Sequence, residues 1–130
     1  YPNLHVLEEA YANWSKEEAY RLLKTWYGKH GGKIDGVVSQ NDAMALGAVD
    51  FLKEIGKQGE IPVVGVDALA EALQAVKDGD LTATVFQDAV GQAKIAVNVS
   101  IHLAQGGQAA KSYFIPYRLV TKENVDYFLK

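Results

Sequence analysis

Apolar residues fall into two kinds of run along the 130-residue chain, and their alternation predicts a β-α succession. Short runs suited to strands occupy Leu4 to Leu7, Ile34 to Ser39, Ile61 to Val66, Leu81 to Phe86 and Ser112 to Leu119, the third of them rich in β-branched residues. Between them apolar residues recur every three or four positions, the spacing that puts them on one face of a helix. Ala19, Leu22, Leu23, Trp26 and Tyr27 form the first such stripe, with Trp26 at core spacing. Met44, Leu46, Val49, Phe51, Leu52 and Ile55 form the second. A third helix is predicted from Leu69 to Lys77 and a longer one from Val90 to Ala104.

The punctuation agrees with these assignments. Ser15 with Glu17 and Glu18 behind it is a capping-box-like start that sets acids against the positive end of the helix dipole. Gly28-Lys29-His30-Gly31-Gly32, Gly56, Asp78-Gly79 and Gly106-Gly107 supply the stops. Asp42 is assigned as the cap of the second helix, and Thr121, followed by Glu123, as the cap of a last short turn. The continuous apolar run Ile61 to Val66 suits a strand buried on both faces. Short connections between alternating strands and helices imply an α/β fold: an open, mainly parallel, five-stranded sheet with helices on both faces, in one domain over 1–130.

Composition then narrows the functions. With 48% hydrophobic residues, 22% charged residues and a net charge of −3, the chain lacks the clustered basic footprint of a nucleic-acid binder. No apolar run approaches the roughly 18 residues a membrane helix needs. Without cysteine there is no disulfide, thiolate metal site or cysteine nucleophile. His5, His30 and His102 are scattered without metal-ligand spacing, and no Gly-x-Ser-x-Gly elbow occurs. Gly28 to Lys33 imitates a phosphate loop, but it follows a helix, and Ile34 stands where Ser or Thr would bind magnesium. The reading is of a binding module with no catalysis, cofactor or metal.

Polar chemistry gathers at the ends of three strands. They run into Ser39-Gln40-Asn41-Asp42, Val66-Asp67 and Phe86-Gln87-Asp88. In an open parallel sheet the carboxyl ends of the strands are where ligands bind, so Asn41, Asp67 and Gln87 converge on one edge. A carboxylate can accept from two neighbouring hydroxyls, and an amide offers a donor and an acceptor. Each also has a plainer assignment: Asn41 as a turn residue, Asp67 as a helix cap, Gln87 as a common strand-end residue. Trp14, between the first strand and first helix, is placed either against the apolar face of a ring ligand or as a staple on its own helix.

These stretches resemble the C-terminal lobe of the periplasmic sugar-binding proteins of the ribose-binding type, the solute receptors of ABC transporters. Asn41-Asp42-Ala43-Met44-Ala45-Leu46-Gly47-Ala48 is the most specific match. Val63-Val64-Gly65-Val66-Asp67, Thr84-Val85-Phe86-Gln87-Asp88-Ala89-Val90-Gly91-Gln92 and Ile115-Pro116-Tyr117-Arg118-Leu119-Val120-Thr121 follow at the family's spacing. The resemblance runs from about Leu4 to Leu129. It implies that residues matching Asn41, Asp67 and Gln87 contact a sugar, and that an aromatic at the Trp14 loop stacks on its ring. It implies a monosaccharide or cyclic polyol of the ribose, allose or myo-inositol class, a parent protein that docks on a transporter permease, and a periplasmic or extracytoplasmic location. It also implies that the chain is one lobe of two, an isolated or engineered piece without the N-terminal lobe and with weak ligand binding or none.

In the family the segment after the Phe-Gln-Asp strand crosses to the other lobe. The helix over about 90–104 therefore carries Val90, Ala93, Val97, Ile101 and Ala104 without a partner. Either it folds back on this sheet to complete a flavodoxin-like sandwich, or it is exchanged between two chains as a homodimer. Two other classes fit the pattern less well. A lac-repressor-type effector domain shares the Asn-Asp-x-x-Ala and Gly-x-Asp stretches. A true flavodoxin or response regulator would need a flavin-phosphate loop or an acidic cluster that the chain does not carry.

Overall fold

The computed structural model describes residues 2–129. Three parallel strands, β1 (Val37–Val38), β2 (Val63–Asp67) and β3 (Ala83–Phe86), stand side by side, and β4 (Arg118–Val120) runs antiparallel on the far edge of β3. Helix α1 (Lys16–His30) precedes β1, and α2 (Asp42–Glu54) and α3 (Ala70–Asp78) connect β1 to β2 and β2 to β3, in the predicted order. The core is one cluster in which Leu23, Val49, Leu52, Val63, Val76, Leu81, Val120 and Val125 are almost fully buried. Trp26 packs on its margin, as its spacing predicts.

Among the described residues the sheet has four strands, not five. Leu4 to Leu7 lie outside it and are exposed, and no backbone hydrogen bond joins them to β1. An apolar run makes a strand only where an edge receives it; here the edge residue Val38 stays 76% exposed. The predicted strand over 34–39 shrinks to Val37–Val38; Gly31–Lys33 form a 3-10 turn ahead of it, and Ile34 is extended but unpaired. The last strand starts later than expected: residues 113–117 are irregular, and pairing begins at Arg118. Thr121 opens the last turn, its carbonyl accepting from the Asn124 and Val125 N–H groups, but its side chain caps no helix. Its hydroxyl bonds Glu123, while Asn124 closes the turn by accepting from the Thr121 N–H and donating to the Leu119 carbonyl.

Helix α1 begins as its sequence dictates. Ser15 is extended and its Oγ accepts from the Glu18 N–H at 3.2 Å, with Glu17 and Glu18 in the first turn and Lys29 and His30 in the last. Glu8 pins the preceding segment to the far end of α1 by pairing with Lys29 and, at 2.7 Å, with His30 Nε2. The Lys29 ammonium first, then His30, hold the Glu8 carboxyl below the ordinary glutamate range. A depressed folded value means that this tether is complete above the ordinary glutamate pKa and is lost as pH falls through the lower folded value. Acid titration followed by amide shifts of residues 6–10 is expected to show their release there, and Glu8→Gln to abolish that transition.

Helix α4 (Ala89–Ala104) settles one alternative. Asp88 caps it, Oδ1 accepting from the Gly91 N–H at 2.8 Å, and Gly106 at φ 83° ends it. None of its residues is buried, and Val90, Val97, Ile101 and Leu103 are exposed. The helix does not fold back to complete a sandwich. Its apolar surface has no covering layer among the described residues.

Candidate functional site

The three polar residues stand at the carboxyl ends of adjacent parallel strands. Val37 pairs with Val63 and Val38 with Val64; Asn41 follows three residues beyond β1, at the N-cap of α2, while Asp67 is the last residue of β2. Asp67 in turn pairs with Phe86, and Gln87 lies one residue further on. Adjacent strands lie about 4.8 Å apart, which brings the three residues onto one edge.

Each arrives with a different share of its hydrogen-bonding capacity used. Asn41, not Asp42, caps α2: its backbone is extended and its Oδ1 accepts from the Met44 N–H at 2.9 Å. That commits the carbonyl end inward and leaves the Nδ2 amide without a partner among the described residues. Asn41 thus fills the plain structural role and keeps a donor free. Asp67 caps nothing, since Leu69 is the α3 N-cap and contributes no side-chain bond. Its half-buried carboxylate makes no hydrogen bond among the described residues. Gln87 Oε1 accepts from the Tyr117 hydroxyl at 2.9 Å, which leaves its Nε2 amide. The edge therefore offers one carboxylate acceptor and two amide donors.

Asp42, assigned to capping from the sequence, does something else. It is fully buried; Oδ1 accepts from the Thr84 hydroxyl at 2.6 Å and Oδ2 from the Leu69 N–H at 2.8 Å. Thr84 Oγ1 accepts in turn from the Ala68 N–H at 3.3 Å. These bonds hold a strained turn, because Asp67 at φ 123° and Ala68 at φ 61° both occupy left-handed backbone without being glycine. Such conformations cost about 1–3 kcal/mol each. A bond to a buried carboxylate contributes about 1.5–3 kcal/mol, comparable to the strain it opposes. Burial pushes the Asp42 carboxyl up, against the opposing pull of Thr84 and Leu69, and the Asp67 charge pushes the same way. That repulsion is the electrostatic sign of two carboxylates close together. Gly65 completes the arrangement: a Cβ there would overlap Asp42 Oδ1 and come within 3.1 Å of Ala45 Cβ.

Trp14 sits apart from these contacts. It is 75% exposed at φ 56°, next to Asn13 at φ 48°, so the staple on its own helix does not form. Positive φ is an outlier for a bulky side chain. No described contact ties its ring to the strand ends. The sequence reading missed Tyr117 and the Asp42–Thr84 pair. Thr84 lies 42 residues from Asp42, and neither periodicity nor motif spacing signals such a bond.

Residues 1–108 match the periplasmic binding protein domain model, and the chain belongs to that family. It is 39% identical over 126 residues to a xylitol-binding protein of Mycolicibacterium smegmatis, spanning 97% of this chain and 36% of that protein. Against a D-galactose/methyl-galactoside binding periplasmic protein of Haemophilus influenzae it is 39% identical over 127 residues, covering 90% of this chain and 38% of the relative. Among solved structures, an ABC transporter solute binding protein from Bacillus halodurans with bound myo-inositol superposes at a TM-score of 0.87. The two are 42% identical, over 96% of this chain and 43% of that one. A second receptor, from Actinobacillus succinogenes with bound D-allose, gives 0.92 at 27% identity over 98% of this chain and 45% of its own. The chain thus spans less than half the length of these relatives, from 36% to 45%.

Proposed function

We propose that this chain is the C-terminal, sugar- or polyol-binding lobe of an ABC-transporter solute receptor. In this reading Asp67, Asn41 and Gln87 form one wall of its cleft and Trp14 contributes a stacking surface. The observation that carries the reading is that Asn41, Asp67 and Gln87 stand at the carboxyl ends of three adjacent parallel strands with unengaged polar groups. One acceptor of full charge and two amide donors suit a neutral ligand with adjacent hydroxyls. The ribose, allose and myo-inositol class fits, and relatives carrying D-allose and myo-inositol support it. The complete receptor would work outside the cytoplasmic membrane and deliver its closed form to a permease. Helix α4 would meet the remainder of the receptor, and in the lone chain its bare apolar surface is where two copies would associate.

One wall of a cleft binds weakly, because the ligand keeps much of its surface in water. Calorimetric titration of the folded chain with myo-inositol, allose and ribose is expected to give millimolar or weaker affinity, lost in Asp67→Ala. Micromolar binding would mean a complete site in this chain and refute the half-cleft. Binding indifferent to Asp67→Ala and Gln87→Ala would refute the site assignment.

A further inference from the structure

We propose that Tyr117 is a positioning residue that fixes which end of the Gln87 amide faces the ligand, an inference that rests on the site assignment above. Gln87 and Tyr117 are the next facing pair beyond the β3–β4 ladder, whose register runs Thr84 to Val120, Val85 to Leu119 and Phe86 to Arg118. Their neighbours lock the register from the opposite face. The Arg118 guanidinium lies over the Phe86 ring at 4.6 Å and over the Phe128 ring at 5.1 Å, while the two rings pack at 5.3 Å. Side chains alternate along a strand, so with Arg118 held on the rings Tyr117 is turned to the other face, where its hydroxyl meets Gln87.

The bond has a direction. The Tyr117 hydroxyl donates to Gln87 Oε1, so the carbonyl end of the amide is turned toward Tyr117 and Nε2, a pure donor, lies on the other side. A freely rotating glutamine would offer donor or acceptor alike and would lose rotamer entropy on binding. The fixed amide selects a ligand oxygen that can accept at that position. Beside the Asp67 carboxylate, which only accepts, it makes adjacent positions of the edge opposite in polarity. A ring ligand would be read by the order of acceptor and donor around it.

The test uses the 15N-labelled chain and has two readouts. Without ligand, the Gln87 Nε2 protons are expected to give two separated, motionally restricted signals, which collapse toward free-amide positions in Tyr117→Phe while the backbone spectrum stays folded. Unchanged Gln87 signals in that variant would overturn the proposal. Titration with myo-inositol is the second readout. Loss of one neutral hydrogen bond predicts a three- to tenfold weakening, about 0.7–1.4 kcal/mol, in Tyr117→Phe. Gln87→Glu retains an acceptor for Tyr117 but has no donor for the ligand, and it is expected to lose binding. If Asp67→Ala abolishes binding and Tyr117→Phe does not change it, Tyr117 has no positioning role and the site assignment survives. If Asp67→Ala, Gln87→Ala and Gln87→Glu all bind like the parent chain, the site assignment fails, and the role of Tyr117 fails with it.

Discussion

Asp42→Ala is expected to lower the unfolding free energy by about 3–5 kcal/mol and to free the turn that carries Asp67. The substitution takes the acceptor from two donors, the buried Thr84 hydroxyl and the part-buried Leu69 N–H. Losing a hydrogen bond to a charged acceptor costs about 1.5–3 kcal/mol, and the donors left behind add their desolvation. The damage would spread further. Thr84 also receives the Ala68 N–H, so the strained Asp67-Ala68 backbone loses the Leu69 anchor directly and is left with a Thr84 hydroxyl that no longer has Asp42 to hold it. Urea unfolding measures the loss, and amide exchange at Ala68 and Leu69 measures the freed turn. A change below 1 kcal/mol with protected amides would show that the carboxylate does not hold the turn.

Asn at this position is a gentler probe. Its carbonyl can still accept from Leu69, and its amide can donate to Thr84 Oγ1, so Asp42→Asn is expected to cost less than the alanine change. It also removes a titration. Because burial raises the folded pKa of Asp42, the folded state holds this proton more tightly than the unfolded chain does. The contribution is fully present below the ordinary aspartate value and lost as pH rises through the raised one. That is the reverse of Glu8, and the pH dependence of wild type minus Asp42→Asn separates the two.

Gly47→Ala is expected to destabilise the chain by about 2 kcal/mol, against the sign of helix propensity. Alanine is favoured over glycine within a helix by about 1 kcal/mol. Gly47 lies inside α2, where the first turn of α1 crosses it: a Cβ would overlap the Lys16 carbonyl oxygen and come to 3.0 Å from its carbon. Backbone cannot swing aside as a side-chain tip can, which puts the clash at or above the upper end of the about 1–3 kcal/mol typical of overpacking. Gly28 is the control. It is also inside a helix, α1, but a Cβ there meets nothing within 4 Å. Gly28→Ala should gain about 0.5–1 kcal/mol from propensity alone. If both substitutions stabilise in urea, the close approach of α1 and α2 is not what the structure describes.

Most of the architecture was legible because it is written in local terms. The stripe from Ala19 to Tyr27, the Ser15 cap with its acids and the stop at Gly79 each act within a few residues, and the helices stand where these signals put them. The run Ile61 to Val66 needed no partner to be read as a central strand. Leu4 to Leu7 misled for the complementary reason. Their pattern is that of a strand, but strand formation is an agreement between two segments, and only the tertiary structure shows that no neighbour receives them.

The site divides along the same line. Sequence placed Asn41, Asp67 and Gln87 after three successive strands, and parallel order carries them to one edge. What each can offer was decided by contacts made across long separations. Gln87 gives its carbonyl to Tyr117, 30 residues on, and Asp42 is drawn away from the cap it would suit by Thr84 and Leu69. Local pattern fixes where a polar group stands because backbone geometry repeats over a few residues. Only the packed fold decides which of its lone pairs and protons remain unused, because those are claimed by whatever residue the chain folds back beside it.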